Sequence, residues 1–260
     1  DPSVFERRLA LAALRVSNQD CAKCLKSLGS VLLRQKNLRN VLEDPAGDAS
    51  KRIVLFAEAV APEKLEAKLN EKQMAFVKEQ VAAGADVTSH EVVLGYEHLS
   101  SDEALALVLP AGMEVPSSFE TIGQIAHFNL RACHGPYKET IGKIVLDKNK
   151  SLRTVINKVG ELSNEFRTFD MEVLAGEANF VTVVKEMKMS FELDYSEVYW
   201  NSRLGGERQR VLALLRGGET VVDMMAGIGA MSCFAATVGC RVFCNDLNPR
   251  GAHWQRVNVA

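Results

Sequence analysis

The chain has 260 residues, 47% of them hydrophobic and 25% charged, with a formal net charge of -2. That composition is ordinary for a globular protein, and the length suggests two or three domains. It excludes a chain whose global field gathers nucleic acid, so any RNA contact has to come from local basic patches. No apolar run approaches the roughly 20 residues that a spanning helix needs, so no membrane partner is expected. The N-terminus carries no recognisable signal peptide, and it begins at Asp1 rather than Met, as an excised piece would. Cys21, Cys24, Cys133, Cys233, Cys240 and Cys244 have no disulfide-framework spacing, which fits a reducing compartment. Cys21 and Cys24 form a lone C-x-x-C without a second pair, and His90 and His98 are isolated. A helix face is therefore expected there, and no metal.

In chain order, residues 8–16 hold an apolar run, Leu9 to Val16, suited to a buried strand. A helical segment through Leu25, Leu28, Val31 and Leu32 follows. The turn Asp44-Pro45-Ala46-Gly47-Asp48 leads to a strand over Arg52 to Phe56. Residues 62–80 carry a helical pattern opened by Pro62 and Glu63, Val87 to Tyr96 reads as a strand, and Ser101-Asp102-Glu103 caps a helix ending near Leu109. Pro110 to Pro116 is the first linker. Short strands are then expected at Ile144 to Leu146, Thr154 to Ile156, Met171 to Leu174, Phe180 to Val184 and Phe191 to Leu193. Asp147-Lys148-Asn149-Lys150 and Ala175-Gly176-Glu177 supply turns. The predicted fold is a multidomain α+β chain: an α+β domain over 1–115, a β-rich middle domain over 116–195, and the start of a Rossmann-like (class I) domain over 196–260.

The most informative stretch lies in that last part. Val221 and Val222 make a short strand closed by Asp223, and Gly227 and Gly229 permit a tight turn and close approach of a ligand. A helix from Met231 to Val238 stops at Gly239, and a second strand, Arg241 to Cys244, is followed by Asp246. An acid about 20 residues past the glycine turn is placed to take a ribose hydroxyl pair. A dinucleotide site would want a third glycine, where this chain has Ser232. Asp223 would repel a pyrophosphate but suits a cationic, phosphate-free ligand, so S-adenosylmethionine is the expected cofactor. The bland alternative is a βαβ turn that binds nothing.

Four motifs add to this: Ile125-Ala126-His127-Phe128-Asn129-Leu130-Arg131, Met171-Glu172-Val173-Leu174-Ala175-Gly176-Glu177, Val198-Tyr199-Trp200-Asn201-Ser202-Arg203-Leu204 and Asn245-Asp246-Leu247-Asn248-Pro249. Together they resemble the archaeal and eukaryotic tRNA (guanine-N1)-methyltransferases, densely from about Ile122 onward. The resemblance implies methylation of N1 of guanosine 37, beside the anticodon, from S-adenosylmethionine. It also implies an N-terminal domain that reaches the tRNA elbow and a middle domain on the anticodon arm. Glu207, eight positions after Tyr199, matches the family's proposed general base. Arg167, in Asn164-Glu165-Phe166-Arg167, matches the arginine proposed to stabilise guanine O6. Arg208, Asp246 and Leu247 match positions associated with the cofactor.

The chemistry is reasonable on its own terms. Guanine N1 holds a proton at neutral pH, so a base must remove it, and a carboxylate in a partly dry site can have its pKa raised toward that task. A guanidinium would stabilise the charge that moves to O6. Tyr199 and Trp200 form an aromatic pair that packs a core or stacks on adenine or guanine. Lys138, Lys143, Lys148, Lys150, Arg153 and Lys158 form a basic run suited to RNA phosphates or to a solvated face. Lys23, Lys26, Arg34, Lys36 and Arg39 are a weaker cluster toward the elbow.

The loop departs from the family pattern at Met224, Met225, Ala226, Ala230 and Met231. Only 14 residues follow Asp246, and the family's Asn-Pro-Pro motif is not among them, so the 260 residues alone are expected to be inactive. Rival readings are the aminocarboxypropyltransferase of the wybutosine pathway and a non-catalytic tRNA-binding module. A monomer is expected in the cytoplasm, mitochondrial matrix or nucleus.

Overall fold

The computed structural model describes residues 2–60, 65–160 and 165–259, which divide between two compact units, Asp1–Ala111 and Gly112–Ala260. Pro62, Glu63 and Asn164 lie outside the described residues.

The first unit is built on β1 (Arg7–Ser17). Leu9, Leu11 and Ala13 face one core, and Ala12, Leu14 and Val16 face another. Burial on both faces explains why the sequence reads as a continuous apolar run rather than an alternation. α1 (Cys21–Leu28) follows, and Cys24 and Leu28 pack inward from it. Burial pushes the Cys24 thiol up to about 11, so it stays protonated as a core residue. β2 (Val41–Glu43), β3 (Lys51–Leu55) and β4 (Asp86–Leu94) complete an antiparallel sheet in the order β2-β3-β1-β4.

The helical pattern expected over 62–80 is two helices, α2 (Leu65–Lys68) and α3 (Glu71–Ala82). The break comes from Asn70, whose side chain accepts from the Gln73 N–H while Gln73 returns a bond to the Asn70 N–H. That capping box starts a new helix where the apolar spacing alone suggested continuity. α4 (Ser101–Val108) opens on the same device, with Ser100 as the cap and Glu103 as its partner.

The second unit holds β5 (Glu120–Ile122), β6 (Ile125–Phe128), α5 (Lys138–Lys148), β7 (Thr154–Val159) and β8 (Asp170–Gly176). The sheet order is β5-β6-β7-β8, with β6 and β7 parallel across α5. The strand expected at Ile144 to Leu146 is therefore helix, and Asp147 and Lys148 are its last turn. The i, i+3, i+4 set Ile141, Ile144 and Val145 is buried, and this helical period outweighed β-branched propensity. Gly142 lets α5 approach β8, since a Cβ there would meet Leu174 Cβ at 2.6 Å.

β9 (Val181–Glu186) and β10 (Met189–Asp194) then form a hairpin. Its turn residues Met187 and Lys188 both have positive φ, 46° and 67°. α6 (Gly205–Leu212) precedes β11 (Thr220–Asp223), α7 (Ala230–Thr237), β12 (Arg241–Cys244) and α8 (Pro249–Val259). β11 and β12 are parallel, joined through α7.

One hydrophobic core runs through this unit. It links Ile122, Ile125 and Ile156 of the four-stranded sheet to Phe191, Trp200, Phe234 and Trp254. Phe191 meets Phe234 edge-on at 5.3 Å between ring centroids. Asn258 of α8 accepts from the Glu192 N–H and donates to Glu192 O and Ile228 O, fixing the hairpin to the glycine loop. No helix among the described residues is long and apolar enough to cross a membrane.

Candidate cofactor and base site

The parallel register brings the ends of β11 and β12 side by side, with Asp223 opposite Cys244. The Asn245 N–H donates to Asp223 O, and the Ala226 N–H donates back to Asn245 O, so both strand ends enter one crevice. Ligands collect at such carboxyl ends in open α/β sheets. The connecting loop turns at Gly227 (φ 54°) and Gly229 (φ 86°), a left-handed region that costs an L side chain about 1–2 kcal/mol. Gly251 is tight as well: a Cβ there would lie 3.0 Å from Gly227 O.

Both acids are held. Asp246 Oδ2 accepts from the Gly227 N–H at 2.7 Å and Oδ1 from the Asn248 N–H at 2.9 Å. Each oxygen keeps a further acceptor site, so the carboxylate can take a diol while locking the loop. Asp223 accepts from Ser232 Oγ at 2.9 Å. The serine that replaces a third glycine thus orients the first acid. Asn248, which the sequence reading named within a motif without a role, is buried; it caps α8 by accepting from the Arg250 N–H and donates to Glu197 O. Its signal was present in Asn-Pro at a helix start. Gln255 donates to Gly227 O at 2.9 Å, and only the fold reveals that contact.

A cavity of about 630 Å³ opens here, bordered by Asp223, Gly227, Asp246, Leu247, Tyr199, Arg208 and Arg167. Seven residues singled out in the sequence therefore meet around one space. Gly229 stands behind it against Gln255. Met225 lines the cavity and is 87% exposed, so it presents flexible apolar surface to it rather than filling a core. A larger cavity, about 870 Å³, borders β9 and Arg153 but holds neither the acid pair nor the glycine loop.

Arg208 is fixed on three sides. It pairs with Glu186 at 2.7 Å, donates to Asn201 O and lies 4.6 Å from the centre of the Trp200 ring. Trp200 is buried among core residues, whereas Tyr199 is exposed at the cavity. Glu186 was not foreseen, because nothing in its strand marks it apart from its fold partner. Arg167 sits at φ 57°, in the left-handed region that a non-glycine residue seldom occupies, and it borders the cavity.

Glu207 behaves differently from the expectation of a partly dry carboxylate. It is exposed on the first turn of α6 and does not border the cavity. Arg210 grips it by two hydrogen bonds, 2.8 and 2.7 Å, and holds its carboxyl below the usual carboxylate range. The pKa is lowered, not raised, because the dominant influence is a charged partner and burial is slight.

The basic run is dispersed. Lys138 pairs with Glu172, Lys150 lies 3.9 Å from Asp147, and Arg153 donates to Val181 O and Asn179 O. Lys138, Lys143 and Lys148 stand five residues apart on α5, so they point around the helix rather than along one face. The exposed Lys23, Lys26, Arg34, Lys36 and Arg39 belong to the first unit, where Lys23 pairs with Asp20 and Arg34 donates to Gly29 O. Among the described residues no group of three His, Cys, Asp or Glu side chains could hold a metal ion.

Known proteins resemble this arrangement. The TRM5/TYW2 methyltransferase domain matches residues 182–260, and the TYW2 N-terminal domain matches residues 102–179. A tRNA (guanine(37)-N(1))-methyltransferase of Phytophthora infestans is 40% identical over 265 residues, covering 100% of this chain and 64% of that protein. The Homo sapiens enzyme of the same name is 37% identical, covering 99% of this chain and 50% of its own length. The chain thus spans between half and two thirds of these relatives. Among solved structures, the complex of aTrm5 and tRNALeu superposes with a TM-score of 0.70 at 18% identity, over 95% of this chain and 70% of that one, a likeness of fold.

Proposed function

From a chain that belongs to the TRM5/TYW2 methyltransferase family, we propose a tRNA methyltransferase that moves the methyl group of S-adenosylmethionine to N1 of guanosine 37. The observation that carries this reading is the convergence of Asp223, Gly227, Asp246, Tyr199, Arg208 and Arg167 on one cavity of about 630 Å³. Asp246 takes the ribose hydroxyls, Asp223 faces the cationic end of the cofactor, and Leu247 covers the adenine. The sulfonium is itself the activated leaving group, so transfer needs only a deprotonated N1 in line with the methyl carbon.

Arg167 donates to guanine O6, where the charge of the deprotonated base gathers. Glu207 accepts the N1 proton. Its ionised state at neutral pH supplies an acceptor, and exchange of Arg210 for the incoming base would remove the partner that weakens it. Arg208, braced by Glu186, holds the start of α6 against the cofactor. RNA is held by the middle segment, residues 116–195, with Lys138, Lys143, Lys148, Lys150 and Arg153 as phosphate contacts on the anticodon arm. The first domain, residues 1–115, would reach the elbow, and the enzyme would act as a monomer without a metal, in the cytoplasm, mitochondrial matrix or nucleus.

The match of residues 102–179 to a TYW2 domain keeps one rival alive, transfer of the aminocarboxypropyl group of the same cofactor. The test is nucleoside mass analysis after incubating the full-length protein with S-adenosylmethionine and tRNA bearing guanosine 37. N1-methylguanosine that disappears when that guanosine is replaced supports the proposal. A heavier adduct on modified tRNA favours the rival, and tRNA binding with no product favours a non-catalytic module.

A further inference from the structure

Beside the cofactor cavity, a third cavity of about 550 Å³ is bordered by Glu120, His127, Asn129, Lys158, Asn201 and Arg203. Residues Tyr199 to Leu204 separate the two spaces: Tyr199, Trp200 and Leu204 face the cofactor cavity, and Asn201, Ser202 and Arg203 face the third. A hydrogen bond crosses between them, from Asn201 Nδ2 to the Tyr199 hydroxyl at 3.2 Å, and Asn201 Oδ1 in turn accepts from the Arg203 N–H.

The chemistry of this cavity is mixed in a particular way. Lys158 and Arg203 have no carboxylate partner among the described residues, and Lys158 Nζ lies 5.5 Å from the centre of the Phe169 ring. Phe169 stacks on His127 at 5.0 Å with 20° between planes, and of this pair His127 borders the cavity. The buried Tyr195 hydroxyl lies within hydrogen-bond distance of His127 Nδ1, at 3.0 Å. Burial lowers the His127 pKa, which leaves the imidazole neutral and the positive charge to Lys158 and Arg203. Glu120, held by Ser202 Oγ at 2.7 Å, and the amides of Asn129 and Asn201 supply acceptors and donors. Two free cations alone would describe an anion site, but a carboxylate among them disfavours a bare anion. A phosphodiester joined to a base with exocyclic amino groups satisfies both sets at once.

We propose that this cavity seats the nucleotide adjoining the methylated guanosine, its phosphate between Lys158 and Arg203 and its base edge toward Glu120, Asn129 and Asn201. The inference rests on the function proposed above. A base extruded into the cofactor cavity leaves its neighbour unstacked, and a pocket one short segment away can hold that neighbour. The Asn201–Tyr199 bond would then report occupancy of one cavity to the wall of the other.

The test is a cycle in the full-length protein, with wild type, Lys158→Ala and Arg203→Ala, each against tRNA carrying a neutral methylphosphonate on the 5′ or the 3′ side of guanosine 37. Wild type should lose about three- to tenfold in tRNA affinity when one of the two linkages is neutral. Each variant keeps one of the two cations, so it should show part of that loss already and respond less than wild type to the same neutral linkage, with cofactor affinity unchanged. The side that responds identifies the neighbour. Losses that multiply independently, or no response to either linkage in a wild type that makes N1-methylguanosine, would overturn the assignment of this cavity alone. A wild type that makes no N1-methylguanosine removes the underlying function and this proposal with it.

Discussion

The two ends of the candidate site are prepared to different degrees. At the cofactor end, Asp246 is bound by two backbone N–H groups, the loop turns on two left-handed glycines, and Asn258 ties that loop to β10. At the base end, Glu207 is exposed and given over to Arg210, while Arg167 borders the cavity from a strained backbone. A ribose needs an acceptor already fixed, because the cofactor brings no means to organise the loop. A general base for a flipped nucleotide can be held by a surface partner until RNA displaces it. On the proposed function, the difference teaches that rigidity follows the ligand that binds the same way every time.

Predictions from that contrast can be ordered by size. Glu207→Gln should slow methyl transfer by about 10²- to 10⁴-fold in single turnover, the usual worth of a positioned base, with cofactor affinity unchanged. Asp246→Ala should act at the other end. It strips two N–H groups of their acceptor, lowers folding stability by about 1–3 kcal/mol in denaturant titration, and weakens cofactor binding measured by calorimetry at least tenfold. Equal damage to cofactor affinity by both substitutions would erase the distinction between the two ends.

Smaller effects sharpen it. Gly229→Ala, at φ 86° and with a Cβ 3.3 Å from Gln255 Cγ, should cost about 1–2 kcal/mol and lower cofactor affinity without altering the pH dependence. Arg210→Ala should do the reverse. Arg210 holds the Glu207 pKa down, so its removal raises that pKa. With Glu207 as the proposed base, activity needs its ionised form and falls as pH drops through its pKa, so the acid limb of the rate profile should move to higher pH. The pair is surface-exposed, so the melting temperature should hardly change. An acid limb that stays in place would separate Glu207 from the rate.

Much of this site was legible in the sequence for a physical reason: strand-end acids and glycine turns are local, and β11, α7 and β12 lie within 25 consecutive residues. The strand misplaced at Ile144 shows the limit, since a short apolar run fits either period until α5 is seen against β8. The break at Asn70 was legible and passed over, because the capping box sits inside a longer apolar rhythm. The Met187-Lys188 turn carries no Asn-Gly signal, and pairing of β9 with β10 imposes its left-handed backbone. Glu186 and Gln255 gain their meaning only from partners 22 and 28 residues away in sequence. The dispersal of the lysines around α5 was hidden for the same reason, because charge counts along a chain do not give faces.

The most direct measurement is single-turnover methyl transfer by the full-length protein, wild type beside Glu207→Gln, at saturating S-adenosylmethionine and tRNA with guanosine 37, read as N1-methylguanosine by mass. The account predicts product from wild type and a rate at least about 100-fold lower in the variant at equal cofactor occupancy. Equal rates from the two proteins would contradict it.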